Sequence, residues 1–199
     1  VNVEATRSKW KVLPGERLIT AVGRLTSQKG FDDLIRAYPE IRRSVPSSRL
    51  LVMGDGYMRS ELESLAETER VRGTTTFAGF VSDADLIDAI KSSDVVAVPS
   101  RFEPFGIIAL EAMAGGAPVV VSRVGGLAEI VEDGVDGLEV DPNSPSSLAK
   151  AAVRLLSDQE LASRLTARAK EKVKAYNWQA SALKTLDVYQ SAIKVTRFE

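Results

Sequence analysis

The amino-acid sequence predicts an α/β fold, with a doubly wound parallel sheet of six strands, helices on both faces and a helical C-terminal tail. Short β-branched or apolar runs alternate with longer segments of helical period, as in stacked βαβ units. Most of the expected strands end in a loop that opens a helix. After Pro145 only helical periodicity remains. These features are typical of a Rossmann-like domain with a helical extension.

Runs of β-branched or apolar residues predict strands at residues 18–22, 50–53, 74–78, 95–98, 119–121 and 137–140. The third is rich in threonine and contains a phenylalanine, residue types that suit a pleated surface. The fourth reads Val-Val-Ala-Val, as expected of a central parallel strand that is buried on both faces. Gly134 and Gly137 mark the turn that leads into the last strand.

Helices are expected between these strands. The first carries Phe31, Leu34 and Ile41 on one face, and the second covers residues 58–69. Further helices are expected from Ser82 to about residue 92, over 105–113, briefly near 129–130, in two segments after Pro145, and over 178–193. No Pro/Gly/Ser-rich linker divides the sheet-forming part, so we expect a single domain over residues 1–199.

Composition excludes several chemistries. The 199 residues include 26 Lys+Arg and 27 Asp+Glu, for a net charge of −1, with no histidine and no cysteine. The chain therefore has no disulfide, no thiol nucleophile, no imidazole base and neither of the ligands that zinc prefers. Near-neutral charge disfavours nucleic acid as a partner. No apolar stretch approaches the roughly 20 residues of a membrane-spanning helix. The sequence starts without Met and shows no basic-then-apolar signal segment, which suggests a fragment or a processed form of a cytoplasmic protein.

The loop after the first strand has the composition of a phosphate-binding loop. Arg24 and Lys29 lie between Gly23 and Gly30, directly before a helix. Glycines let the backbone approach an anion, and a helix N-terminus presents free N–H groups. A solvated loop that happens to hold two basic residues fits the same pattern.

Two other motifs favour structural roles. Gly54-Asp55-Gly56 partly matches a dinucleotide-binding fingerprint, but Arg59 stands where the third glycine is needed, so a tight turn explains it better. Asp83 and Asp85 form a D-x-D sequence that could hold a metal. They follow Ser82 at the start of a helix, and capping explains them better.

The loop after the fourth strand carries two glutamates, Glu103 and Glu111, eight residues apart. Pro104 and Gly106 predict a tight turn after Glu103, so this carboxylate should stand at the mouth of the crevice. Glu111 lies in an otherwise apolar helix, where burial without a partner is costly, although it could simply face solvent. Gly125-Gly126 after the fifth strand fits a binding loop and a simple turn equally well.

In combination, these residues resemble the C-terminal, donor-binding half of retaining GT-B glycosyltransferases of the group 1 family (glycosyltransferase family 4), which includes glycogen, sucrose, mannosyl and lipid-sugar synthases. The resemblance covers about residues 17–194. The matching segments are Gly23-Arg24 with Lys29-Gly30, Gly54-Asp55-Gly56, Gly79-Phe80-Val81, and Glu103 with Phe105-Gly106 and Glu111.

The resemblance implies a catalytic role for three of these residues. Arg24 and Lys29 would bind the pyrophosphate of a nucleotide-sugar donor and stabilise the charge that grows on it. The N–H groups of Gly106 and Ile107 would assist. Glu103 would bind hydroxyls of the donor sugar.

The remaining donor-binding residues follow from the same resemblance. Glu111 would bind the two ribose hydroxyls, and the backbone near Val81 would meet the nucleobase. Gly23, Gly54 and Phe105 would complete the donor site. The diphosphate charge would be met by cations, so neither a metal nor another cofactor is expected.

The resemblance also implies partners. The donor would be a UDP-, ADP- or GDP-hexose, and the acceptor would bind to an N-terminal domain of the same chain, onto which residues 178–194 would cross. The fragment alone would be inactive, and the whole protein would be cytoplasmic, peripheral to the membrane if the N-terminal domain binds there. A GT-B-type nucleotide-sugar epimerase and an autonomous nucleotide-sugar-binding module are the alternatives.

Overall fold

The computed structural model describes residues 2–196, with side chains to residue 193. The strands are β1 (Arg17–Val22), β2 (Ser48–Met53), β3 (Thr75–Gly79), β4 (Val95–Val98), β5 (Val119–Ser122) and β6 (Leu138–Val140). The helices are α1 (Val3–Lys9), α2 (Phe31–Ser44), α3 (Arg59–Thr68), α4 (Asp83–Ser92), α5 (Ile107–Gly115), α6 (Gly125–Ile130), α7 (Pro145–Ser157), α8 (Gln159–Val173) and α9 (Trp178–Thr196). All six predicted strands are confirmed.

The six strands form one parallel sheet in the order β3-β2-β1-β4-β5-β6. β1 lies between β2 and β4, with Thr20 paired to Leu51 on one side and to Val96 on the other. The chain therefore winds outward from β1 in one direction and then from β4 in the other. The predicted doubly wound, Rossmann-like sheet is confirmed.

Alternate strand residues face opposite sides of this sheet, and each side is covered by helices. On one side Ile19 and Val95 belong to the same buried cluster as residues of α2 and α7. On the other side Val96 and Val119 pack with residues of α5 and α6. Since both faces of β1 and β4 are buried, their sequences are apolar except for Arg17, which begins β1, and Thr20, whose hydroxyl lies 2.6 Å from that of Ser93.

Two helix starts show how local chemistry sets the element bounds. The Ser82 hydroxyl accepts the backbone N–H of Asp85, which confirms the predicted cap of α4. α5 begins at Ile107 rather than at Phe105, because Gly106 has a left-handed conformation (φ +80°). α1 was not predicted. It is short, and its Arg7 bonds to the carbonyl of Ser92 and the carboxylate of Asp94.

The last helix, α9, exposes its apolar side chains. Trp178 is 89% exposed, and Leu183 and Tyr189 are each 64% exposed. Among the described helices, none combines the length and the apolar character needed to cross a membrane.

Gly54 permits a close contact between the turn after β2 and the loop after β1. Its φ is +119°, and an added Cβ atom would lie 2.0 Å from the carbonyl oxygen of Gly23. Gly73 is a matched control, because its Cβ would meet no atom within 4 Å and its φ is not positive.

We therefore expect Gly54→Ala to lower the free energy of unfolding by about 3 kcal/mol, because it combines backbone strain with a steric clash. Gly73→Ala should change it by no more than about 0.5 kcal/mol. Urea unfolding followed by circular dichroism measures both. Equal effects of the two substitutions would contradict the close contact.

Candidate functional site

The candidate site lies at the carboxyl edge of the sheet, where β1 and β4 are neighbours. The connections that leave these two strands diverge, and this reversal of strand order opens a crevice. The loops after β1 and β4 carry the residues that the sequence singled out. Strand order therefore brings the two predicted loops together.

The loop after β1 places two cations next to this crevice. Arg24 is exposed and forms no side-chain hydrogen bond or ion pair with any residue that the structure describes. Lys29 ends a 3₁₀ turn, Ser27–Lys29, and Gly30 follows it with φ +64°. A Cβ atom at Gly30 would lie 2.1 Å from the Pro99 carbonyl oxygen, so the loops after β1 and β4 are in close contact.

Glu103, in the loop after β4, meets Lys29 across the crevice. Its carboxylate accepts a hydrogen bond from Lys29 Nζ at 2.5 Å and another from the backbone N–H of Gly106 at 3.2 Å. Glu103 is only 9% exposed. Burial raises the pKa of Glu103, but the bonds from Lys29 and Gly106 outweigh it and hold the pKa below its ordinary value. The Gly106 N–H, which the resemblance assigned to the donor, is occupied by Glu103 in this structure.

Gly125 and Gly126 support the Glu103 loop from behind. The Gly126 N–H donates to the Glu103 carbonyl at 2.9 Å. A Cβ atom at Gly125 would lie 2.3 Å from the same carbonyl oxygen. The two glycines therefore let α6 begin directly against the loop that holds Glu103.

Glu111 lies on α5, beside α4. It is exposed and has no hydrogen-bond or ion-pair partner among the described side chains. Desolvation in the groove between α4 and α5 and the charge of Asp83 raise the pKa of Glu111. Its carboxylate is free to accept hydrogen bonds from a ligand.

Exposed apolar side chains surround this edge of the sheet. Phe105 and Ile107 are 74% and 60% exposed, at the start of α5. Phe80, next to the half-buried Val81 after β3, is 90% exposed. Large apolar groups at the rim of a polar crevice are typical of a ligand-binding surface.

Other sequence motifs have structural partners. Gly56 packs against Leu25, where an added Cβ would lie 2.4 Å from the carbonyl oxygen, as a tight turn requires. Asp85 bonds to Lys9 at 2.5 Å. Within residues 2–196, no group of three or more acidic side chains is arranged to hold a metal ion.

Sequence reasoning missed Arg101. This side chain, in the loop after β4, forms ion pairs with Asp32 and Asp33 at the start of α2. It also donates hydrogen bonds to Ser27 in the loop after β1 and to Asn143 in the loop after β6. The sequence does contain the complementary charges. Their pairing depends on tertiary structure, because Arg101 and Asp32 are 69 residues apart.

Comparison with known proteins places the chain in a family. The family described as Glycosyl transferases group 1 matches residues 2–172. The chain is 45% identical over 181 residues to an uncharacterized glycosyltransferase of Methanocaldococcus jannaschii, covering 90% of this chain and 46% of that protein. It is 37% identical over 172 residues to glycogen synthase of Mycobacterium tuberculosis, covering 86% of this chain and 42% of that protein. The chain belongs to the group 1 glycosyltransferases and spans about half the length of these relatives.

Solved structures of glycosyltransferases have the same fold as this chain. Sucrose-phosphate synthase of Thermosynechococcus elongatus has a TM-score of 0.81 at 31% identity, covering 98% of this chain and 51% of that one. The C-terminal domain of a group 1 glycosyl transferase (LpcC) from Francisella tularensis has a TM-score of 0.78 at 27% identity, covering 87% and 92%. Anabaena HepE, solved with UDP-glucose, shares the fold with a TM-score of 0.83 at 23% identity, covering 96% and 52%. The chain has the fold of the C-terminal half of a GT-B glycosyltransferase.

The Lys29–Glu103 pair predicts a pH-dependent stability. Glu103→Gln should lower the free energy of unfolding by about 1–2 kcal/mol near neutral pH, the scale of a charge-assisted hydrogen bond. Because folding lowers the pKa of Glu103, its carboxylate stabilises the fold above the unfolded pKa, and this contribution is lost as the pH falls through the folded pKa. Urea unfolding from about pH 7 to about pH 3 should show the difference between the two proteins shrinking. A constant difference would contradict the assignment.

Proposed function

We propose that this chain binds a nucleotide-diphospho-sugar donor for retaining hexosyl transfer to an acceptor held by an N-terminal domain of a longer chain. The observation that carries the proposal is the Lys29–Glu103 pair at the sheet's strand-order reversal, in a group 1 glycosyltransferase. Open α/β sheets bind ligands at this position. The pair supplies a cation for a diphosphate and a carboxylate for sugar hydroxyls in one place.

Related proteins support a nucleotide-hexose as the donor. The names of two relatives at 31% identity or more describe the synthesis of glycogen and of sucrose phosphate. A third protein of the same fold was solved with UDP-glucose. We infer a UDP-, ADP- or GDP-hexose, and among these we favour UDP- or ADP-glucose.

In the proposed reaction, Arg24 and Lys29 bind the diphosphate and stabilise the negative charge that it gains as the glycosidic bond breaks. Arg24 is exposed and free of ion pairs within the described chain, so it can meet an incoming anion at little cost. To bind the diphosphate, the Lys29 ammonium gives up its hydrogen bond to the Glu103 carboxylate. With two cations in place, we propose that no metal ion is needed.

Glu103 binds the sugar of the donor, and Glu111 binds its ribose. Release from Lys29 leaves the Glu103 carboxylate able to accept hydrogen bonds from the sugar. Glu111, exposed and without a partner among the described residues, accepts those of the ribose. The backbone near Val81 meets the nucleobase. The backbone N–H of Ile107, at the start of α5, assists at the diphosphate. The backbone N–H of Gly106 joins it once the Glu103 carboxylate moves.

The acceptor half lies outside this chain in our proposal. Residues 1–199 form the donor-binding domain, and the last helix crosses onto the N-terminal domain. The exposure of Trp178 and of the apolar residues along α9 supports this placement. The isolated chain should therefore bind the donor without completing transfer.

Titration calorimetry of this chain tests the proposal. We expect UDP and UDP-glucose to bind without magnesium, and Arg24→Ala or Lys29→Ala to weaken UDP binding about 10–100-fold, because each removes a charge-assisted hydrogen bond. Glu111→Gln should weaken the binding of UDP and leave that of inorganic pyrophosphate unchanged.

Two exposed residues away from the crevice serve as matched controls. Arg43→Ala on α2 and Glu67→Gln on α3, both near the C-terminal ends of their helices, should leave the affinity for UDP unchanged. Failure of UDP-, ADP- and GDP-sugars to bind, with or without magnesium, would overturn the proposal. An inverted sugar formed from the donor without an acceptor would indicate an epimerase instead.

A further inference from the structure

Arg101 lies where the loops after β1, β4 and β6 meet. Its guanidinium donates to both carboxylate oxygens of Asp32, at 2.8 and 2.7 Å, and lies 2.8 Å from Asp33. It also donates to the Ser27 carbonyl at 2.9 Å and to the side-chain oxygen of Asn143 at 2.5 Å. One side chain therefore holds three loops through charged and polar contacts.

Two of these loops carry the central pair of the proposed site. Ser27 begins the 3₁₀ turn that ends at Lys29, and Glu103 follows Arg101 by two residues. The backbone N–H of Arg101 also donates to the Gln28 carbonyl at 2.7 Å. These contacts link the Lys29 turn directly to the loop that carries Glu103.

Arg101 also offsets part of the charge of two neighbouring carboxylates. Asp32 and Asp33 lie in the first turn of α2, directly after the loop that holds Lys29. Burial raises the pKa of Asp32, but the bonds from Arg101 outweigh it and hold the pKa below its ordinary value. Without Arg101, only Arg36 would offset this negative charge, and the helix end would repel an anionic ligand more strongly.

We propose that Arg101 is a positioning residue of the donor site, which holds the Lys29 turn against the Glu103 loop and offsets part of the negative charge of Asp32 and Asp33. The inference rests on the function proposed above. A lysine cannot replace this arginine fully, because an ammonium lacks the planar fork that engages both oxygens of Asp32.

The first test is UDP binding by calorimetry. We expect Arg101→Gln to weaken UDP binding on the order of tenfold, as substitutions without direct ligand contact can do. Arg101→Lys should lose less, because it keeps the charge. Adding Asp32→Asn to Arg101→Gln should recover part of the loss. If Arg101 had only a structural role, removing the charge of Asp32 as well would not restore UDP binding. Arg43→Gln is the matched control.

The second test needs no ligand. Carboxyl NMR titration of the free chain reports the pKa of Glu103, which we expect to rise toward its ordinary value in both Arg101→Gln and Arg101→Lys. The pKa should not change in Arg43→Gln. Circular dichroism establishes that each variant is folded, and Arg101→Lys provides the test if Arg101→Gln does not fold.

The outcomes separate the two proposals. If the unmodified chain binds UDP and the Arg101 variants change neither the affinity nor the pKa of Glu103, the positioning role is wrong and the proposed function stands. Failure of the unmodified chain to bind UDP overturns the proposed function and the donor-site role of Arg101 with it. In that case, the NMR titration still shows whether Arg101 holds the two loops together.

Discussion

The pairing of β1 with β2 on one side and β4 on the other determines where the loops and helices of the molecule lie. Because these strands are parallel and adjacent, the loops that follow β1 and β4 leave the sheet at the same edge. Residues in loops that are far apart in the chain therefore meet, and helices on both faces cover what the strands bury. Without this strand order, Lys29 and Glu103 would have no contact.

The crevice is held in shape by close backbone contacts and by charge. Gly30 and Gly54 let neighbouring loops approach to distances that any side chain would prevent. Between the loops, the Lys29 ammonium and the Glu103 carboxylate neutralise each other, so that a nearly buried carboxylate has its partner before any ligand arrives. In the proposed function, a diphosphate that enters would replace Glu103 as the anionic partner of Lys29. Such an exchange would let the Lys29–Glu103 contact stabilise the fold and still leave the cation able to bind a ligand.

The sequence was sufficient for the sheet, because its buried parallel strands are runs of apolar or β-branched residues, separated by segments of helical period. The sequence also indicated which loops carry the candidate site residues, since glycines, cations and glutamates follow the predicted strands. It could not predict α1, whose stability depends on contacts of Arg7 with Ser92 and Asp94, far away in the chain. The pairing of Arg101 with Asp32 was missed for the same reason: it depends on which loops the fold brings together.

The most direct test of the central claim is amide NMR of this chain titrated with UDP. We predict the largest shifts in the backbone of Arg24, Lys29, Gly30 and Ile107, at the carboxyl edge between β1 and β4, with smaller shifts around Glu111. Shifts concentrated at the opposite edge of the sheet, or none at saturating UDP, would contradict the account.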